Sequence, residues 1–584
     1  MKEKALGKGH STGIDNLTKG KPPYLAVWNL VVWGTLALLI CARFVYLQAD
    51  FPANLGPYGY TDEGWWSRNA VAWVREGSWY IDDGYNTMTS LPVLPLLQVV
   101  WFKLFGVSLV SVRAISVVSS LVVSVWVYLL ARREISAQLA WIAPFVVLAN
   151  YPTFAYSRSA FLEMPLLAFV LGSLWLATRQ RSHWFTRVVI SGLVFTAAIL
   201  TKTTALFALP VIFFSLYFQG PSPQRSRQPL SSPAPSNQHQ TRPLTEDSVA
   251  KKSNGFWEQT ISWAQLPLLW LLVVGMSLGL CHLVLNQLAD PQSQAYFSTY
   301  NVTAKVPRSL FAFVKAPLRV LERSFVLFPF LFPGLLGAIA LLQINKKQFR
   351  KRQAATRPVA QEGQDSPLFR IIMLWTATSL GMFSLSDFTA PRYMLVLIVP
   401  IALAIPLWIQ STLRLQKVRR PQKKLNGSGI HALSKYRPWV NAGLGTLFAT
   451  ALVVNLFQVG HSLWFAQFEL VETAEVIEEY IEATATESKV VMGTVADTIA
   501  LATDSIKAIN DWQGYRSIDH RIQTFNPGYY LAFNPRGSVD EKKYSRIEEA
   551  LSKSYRLVLI RRFDLYKNHA ANRPIFFYKL EPKA

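Results

Sequence analysis

Residues 184–219 read WFTRVVISGLVFTAAILTKTTALFALPVIFFSLYFQ, and this apolar run decides how often the chain crosses a bilayer. A single helix over it would be about 54 Å long at 1.5 Å per residue, against about 30 Å of hydrocarbon. Thr201-Lys202-Thr203-Thr204 interrupts it near the middle, and a lysine is costly at the centre of a membrane. The run therefore reads as two spans, 184–201 and 204–219, joined as a tight helical hairpin with Lys202 at its tip.

Working outward, runs of spanning length recur at 25–47, 109–131, 138–155, 160–177, 266–285, 324–343, 370–386, 392–409 and 440–458, and then cease. The segment 91–105 is apolar but shorter than a span and holds Pro92, Pro95 and Lys103, so it reads as an interfacial or re-entrant helix. The sum is an α-helical polytopic membrane protein with eleven transmembrane helices and a small C-terminal α/β domain. Residues 1–24 form a polar tail with five lysines. The run after it is too long for a signal-peptide core and lacks a small-residue exit, so it reads as an uncleaved anchor. The membrane domain is 25–458, with a long first loop at 48–108, and the soluble domain is 459–584.

A formal charge of +24 would suggest nucleic acid if it sat on one compact domain. It does not. With the N-terminus cytoplasmic, the inner side, inner span ends included, holds 30 Lys and Arg against 8 Asp and Glu, and the rest of the chain 29 against 27. This matches the positive-inside tendency, excludes nucleic acid as a partner, and places the C-terminal domain outside a plasma (inner) membrane. The loop 220–256 is dense in Ser, Pro and Gln and reads as disordered. Cys41 and Cys281 both fall in apolar runs, so no disulfide framework or cysteine metal site is available.

From 459 onward, Glu469–Ala485 alternates acidic and apolar positions as a helix, and Lys489–Val495 reads as a strand. Tyr544–Ser552 reads as a further helix, and Tyr555–Arg561 and Ile575–Leu580 as strands. No nucleophile elbow, phosphate loop or metal-ligand spacing is visible in this domain.

The chemistry-bearing groups collect at one membrane face. Tyr60-Thr61-Asp62-Glu63-Gly64-Trp65-Trp66 follows the first span, with Glu163 and Asp387 on the same side. Arg43, Arg113, Arg158, Lys202 and Arg392 lie at outer span ends or turns, against the positive-inside tendency. Taken singly, each cation reads as a side chain snorkelling to the headgroups. Together with the carboxylates they suggest a polar cavity at the outer boundary. Asp62-Glu63 by itself reads as an acidic helix start over 65–76, and Trp65, Trp66, Trp73 and Trp79 as interfacial anchors. Arg308, Lys315, Arg319 and Arg323 lie along one helical face above apolar residues, either as an interfacial helix or as a clamp on an anionic headgroup.

The order Asp62-Glu63, then Tyr156-Ser157-Arg158 with Glu163, then Ile199-Leu200-Thr201-Lys202, then Pro391-Arg392-Tyr393-Met394-Leu395 before Pro400 resembles the GT-C glycosyltransferases. Protein O-mannosyltransferases and the lipid A aminoarabinose transferase are the relatives it is most similar to, over about residues 20–410. The resemblance implies transfer of a sugar from a polyprenyl-phosphate carrier to a hydroxyl acceptor on a lipid, glycan or protein at the extracytoplasmic face of the cell envelope. It implies Asp62 as catalytic base, with Glu63 and Glu163 as further acidic residues, and Lys202 and Arg392 on the donor phosphate with Arg158 beside them. The Lys or His that the family often carries before Pro-Pro-Leu is missing, since Thr89-Ser90-Leu91-Pro92 stands there. That shifts phosphate binding toward Arg68 or the segment beginning at Arg308. The position after Lys202, usually Gly, is Thr203. The cofactor is open: a divalent metal is compatible with the chemistry, but the chain offers no metal-ligand motif.

A phosphate is already a good leaving group, so cations help more than a strong general acid, and one carboxylate can accept the acceptor's proton. The competing readings are a lipid-linked-sugar flippase or transporter and a non-catalytic envelope assembly protein. A flippase favours charges and broken helices near the midplane, whereas these groups sit at one face.

Overall fold

A computed structural model describes residues 23–55, 59–84, 86–179, 183–218, 265–288, 310–356, 366–385, 390–419, 431–484, 488–511, 516–533, 541–565 and 573–583, with Gln292 and Ala295. Arg308, Asp387 and the loop expected to be disordered lie outside these residues. Among the described residues, five helices are long and apolar enough to cross a membrane: Leu109–Ala131, Trp184–Thr201, Gln265–Leu288, Pro391–Arg414 and one within Pro438–Ala483. Two bent pairs add up to two more, and Leu30–Ala42, Val93–Phe105, Glu163–Thr178 and Thr203–Tyr217 are shorter apolar helices. The chain is an integral membrane protein.

The helices pack through small and hydroxylic residues. In Leu109–Ala131 the hydroxyls of Ser119 and Ser124 donate to carbonyls four residues back, which satisfies both within the helix. Helix Glu163–Thr178 meets Trp184–Thr201 where the Ser173 and Ser191 hydroxyls lie 3.0 Å apart. Gly192 on that second helix lets Gln265–Leu288 approach, since a Cβ there would lie 2.7 Å from Val273 Cγ1.

Three expected spans differ in detail. The run 138–155 is broken into Ala137–Ala149 and Tyr151–Ser157, bent by 62°. Asn150 causes the break: its side-chain oxygen accepts the Thr153 N–H at 3.0 Å and so starts a new helix at Tyr151-Pro152. The run 324–343 is split by a bend of 107° between Val314–Leu327 and Leu331–Ile344, so residues 324–327 belong to the preceding helix. In the hairpin, Trp184–Thr201 ends as expected, but the return begins as a 3-10 helix, Thr203–Ala208, before Leu209–Tyr217.

The C-terminal domain is a five-stranded mixed sheet. Its strands are β1 (Val490–Gly493), β2 (Lys507–Ile509), β3 (Tyr529–Phe533), β4 (Tyr555–Leu565) and β5 (Arg573–Pro582) in the order β2-β1-β3-β5-β4. β1 is parallel to β2 and β3, whereas β5 is antiparallel to β3 and β4. Helix Ala496–Ala502 connects β1 to β2 and lies on the helix Gly59–Glu76 of the first loop. One apolar core runs through both: Ala70, Met88, Phe102 and Val112 share a cluster with Ile499, Leu501, Tyr530 and Phe577. The domain is thus seated on the first loop by burial of shared apolar surface.

Candidate active site

Four polar residues converge where helices end. Asp62 lies in the first turn of Gly59–Glu76 and Glu163 opens Glu163–Thr178. Helix N-termini carry partial positive charge, which suits a carboxylate. Lys202 is the extended residue, φ −162° and ψ 128°, between Trp184–Thr201 and the 3-10 turn. Arg392 sits in the 3-10 turn Pro391–Leu397 that precedes Ile398–Arg419.

Arg392 ties the four together. Its Nη1 lies 2.7 Å from Asp62 Oδ2 and its Nε 3.4 Å from Glu163 Oε1, while Lys202 Nζ lies 2.5 Å from the same Glu163 oxygen. Glu163 is shut in, its side chain 3% exposed, whereas Asp62 keeps 22% of its surface and Arg392 14%. Aromatic faces hold the cations: Lys202 Nζ stands 4.3 Å from the Tyr393 ring centre, and Arg392 stacks over Phe161 at 5.2 Å. The arrangement offers a carboxylate that solvent can reach beside two cations whose other partner is buried.

The other expected site residues have different surroundings. Glu63 is fully buried, and Arg113 grips it with both ends of the guanidinium, Nε to Oε1 at 2.9 Å and Nη2 to Oε2 at 2.6 Å. The Ala160 N–H adds a third bond at 2.7 Å, so Glu63 locks the first loop to the turn before Glu163. Arg158 donates to the carbonyls of Val45 and Tyr46, both at 2.6 Å, and Arg113 to those of Leu47 and Ala49. These arginines, like the fully buried Arg43 on the Leu39 carbonyl, are engaged by backbone carbonyls of the protein. Arg68 is bound to Asp83 and lies 3.5 Å from Asp497 of the C-terminal domain. It is therefore not among the groups gathered at Asp62. Trp66 packs with Leu94, Ile115 and Leu162, and Trp73 and Trp79 join the core shared with the C-terminal domain, which accounts for three of the four expected membrane anchors.

The contact between the first loop and the C-terminal domain bears directly on Asp62. Two residues on, the Gly64 N–H donates to Thr498 Oγ1 at 3.1 Å. Burial opposes the charge of Arg68, yet Asp497 and Asp83 outweigh it and raise its pKa above the ordinary guanidinium value. Burial raises the Asp497 carboxyl, and Arg68 only partly offsets this. Asn510 closes the network, its amide donating to Asp497 at 2.9 Å and its backbone N–H to Asp83 at 3.0 Å. Sequence reading missed Asp83, Asp497, Thr498 and Asn510. No spacing links them, because they come from separate ends of the chain. Tyr393 was within reach, since it follows Arg392 directly. Among the described residues no three His, Cys, Asp or Glu side chains group as a metal site.

With this geometry in view, comparison with solved structures is informative. The crystal structure of ArnT from Cupriavidus metallidurans bound to undecaprenyl phosphate superposes with a TM-score of 0.53 at 14% identity, covering 94% of this chain and 98% of that one. Its apo state gives 0.53 at 15% identity, covering 95% and 98%. The chain has the GT-C glycosyltransferase fold. Within that fold, residues 89–231 match the model of the dolichyl-phosphate-mannose-protein mannosyltransferase family, a stretch that includes Glu163 and Lys202. An uncharacterized protein of Aquifex aeolicus (strain VF5) is 28% identical over 176 residues, covering 26% of this chain. The match spans about a third (34%) of that relative's length.

Proposed function

We propose that this protein is a glycosyltransferase that takes a sugar from a polyprenyl-phosphate carrier and passes it to a hydroxyl acceptor at the extracytoplasmic membrane face. The observation that carries the reading is the bridge by Arg392 between Asp62 and Glu163, with Lys202 on Glu163. Two cations beside one accessible carboxylate suit a reaction whose leaving group is a phosphate and whose nucleophile must lose a proton. Support also comes from the fold it shares with ArnT, whose structure was solved with undecaprenyl phosphate.

In this mechanism Lys202 and Arg392 take the phosphate oxygens and stabilise the charge that grows on them as the sugar departs. Arg392 then exchanges part of its contact with Asp62 for the phosphate, which frees Asp62 to face the acceptor. The acceptor hydroxyl oxygen bonds to the anomeric carbon as the bond from that carbon to the phosphate oxygen breaks. Asp62 takes the hydroxyl proton. A single direct displacement inverts the anomeric centre, and the paired carboxylates of soluble glycosidases are not required. Glu163 acts as the buried counter-charge that holds Lys202 and Arg392 together when no donor is bound. Glu63 acts through Arg113 as a positioning residue for the loop that carries Asp62.

The test is turnover by the purified protein of a panel of polyprenyl-phosphate sugars, with Asp62→Asn in parallel. Transfer by the native chain and its loss in a folded, membrane-inserted Asp62→Asn variant are expected. Undiminished transfer by that variant would sink the assignment.

A further inference from the structure

The helix bundle carries an arginine-lined cavity at the end remote from Asp62. The helix that bears Arg113, the partner of Glu63, rises about 27 Å from there to Ala131, close to the hydrocarbon thickness of a bilayer. Just beyond Ala131 opens a cavity of about 470 Å³, lined among the described residues by Arg132, Arg133, Arg179 and Arg370 and by one carboxylate, Glu134. Leu129, Leu130 and Leu374 form its apolar wall.

The convergence of these cations on one cavity suits an anion. Glu134 is turned to other donors, accepting from the Ser366 hydroxyl and, at 2.5 Å, from the Leu368 N–H. Aromatic rings and neutral oxygens are among the contacts of these guanidinium groups. Arg133 donates to Thr178 Oγ1 and, at 2.8 Å, to the Trp175 carbonyl. Arg179 lies 5.0 Å from the centre of the Trp175 ring and Arg370 4.6 Å from that of Phe218. Burial opposes the charge of Arg133, as do Arg187 and Arg179, and Glu134 only partly offsets them. A positive-inside bias accounts for cations at this end. It does not account for their convergence on one concave, apolar-walled site.

We propose that this cavity binds the phosphodiester headgroup of an anionic phospholipid in the leaflet opposite Asp62, with its acyl chains along the leucine wall. Arginine forks match phosphate oxygens, and basic cavities between transmembrane helices suit such headgroups. A zwitterionic lipid carries the same phosphate but brings its own cation among the arginines, so net charge discriminates. The inference requires membrane embedding and is independent of the transfer reaction.

Native mass spectrometry of the full chain in detergent tests it, with phosphatidylglycerol, phosphatidylcholine and inorganic phosphate offered in turn. Phosphatidylglycerol is expected to be retained over phosphatidylcholine, and Arg133→Gln to weaken that retention on the order of tenfold. Should Arg133→Gln fail to fold, Arg370→Gln provides the same comparison, with Arg370→Lys expected to restore part of the binding. Equal retention of the two lipids, or full retention of phosphatidylglycerol by folded arginine variants, overturns the proposal. So does displacement of phosphatidylglycerol by inorganic phosphate at matched concentration, which would mark a free-anion site.

Discussion

The backbone N–H of Gly64 donates to the Thr498 hydroxyl oxygen across 434 residues of chain, and a Cβ at Gly64 would lie 2.1 Å from the Thr498 nitrogen and 2.2 Å from the Asp497 carbonyl carbon. The helix that carries Asp62 and the first helix after β1 therefore touch backbone to backbone. The C-terminal domain thereby becomes part of the support for the candidate site.

Gly64→Ala tests that contact. In an exposed helix this change stabilises by about 1 kcal/mol. Here the added methyl meets backbone that cannot rotate away, so a loss of about 1–3 kcal/mol is expected. A lower thermal midpoint, faster proteolysis after residue 459 and reduced transfer should appear together.

Adjacent carboxylates should respond differently. Asp62→Asn is expected to leave the thermal midpoint near that of the native chain and to cut transfer by about 10²–10⁴-fold. Glu63→Gln strips a partner from the buried Arg113 guanidinium, and breaking such a pair costs about 3–5 kcal/mol. Its signature is lost stability, read as a fall in folded yield and melting temperature.

Donor use should depend on Arg392 more than on Lys202, because Arg392 touches both Asp62 and Glu163 whereas Lys202 touches Glu163. Arg392→Ala is expected to raise the donor KM by about tenfold or more, with partial rescue by Arg392→Lys. Initial rates against donor concentration check this, and equal KM values for the native chain, Arg392→Ala and Lys202→Ala would remove the pair from the phosphate site.

Asp50 supplies a pH signal at the junction of the membrane and C-terminal domains. Its carboxylate accepts the N–H groups of Glu469 and Leu470 at 2.9 and 3.2 Å, capping the helix Glu469–Ala483 from across the fold. Burial raises its pKa from the ordinary 3.8 to about 6, despite those N–H groups and Arg113. The folded state therefore holds this proton more tightly than the unfolded chain does. The resulting stabilisation is complete below about pH 4 and is lost as pH rises through about 6, amounting to at most about 3 kcal/mol. Melting midpoints of the native chain and Asp50→Asn, compared from pH 4 to pH 7, should converge or cross in that direction.

The membrane character, the hairpin interruption at Lys202 and the helix starting near Asp62 were legible because each rests on local sequence: apolar run length, a charge inside it, an acid at a helix start. The strands β2 and β3 and the helices Ala496–Ala502 and Ile518–Phe525 were not read. β3 is buried at every position and shows no alternation, and both helices are too short for a stable period.

Run lengths and charge alone determined that the chain is embedded in a membrane and which residues could carry chemistry. They could not sort those residues, because each of these cations has the same local pattern. Tertiary contact decided that Arg392 and Lys202 meet Asp62 and Glu163, that Arg113 is committed to Glu63, and that Arg68 faces Asp83 and Asp497. The physical reason is that a buried charge settles on whichever opposite charge the packing brings within a few ångströms. For Asp62 and Arg392 that partner lies 330 residues away in the chain.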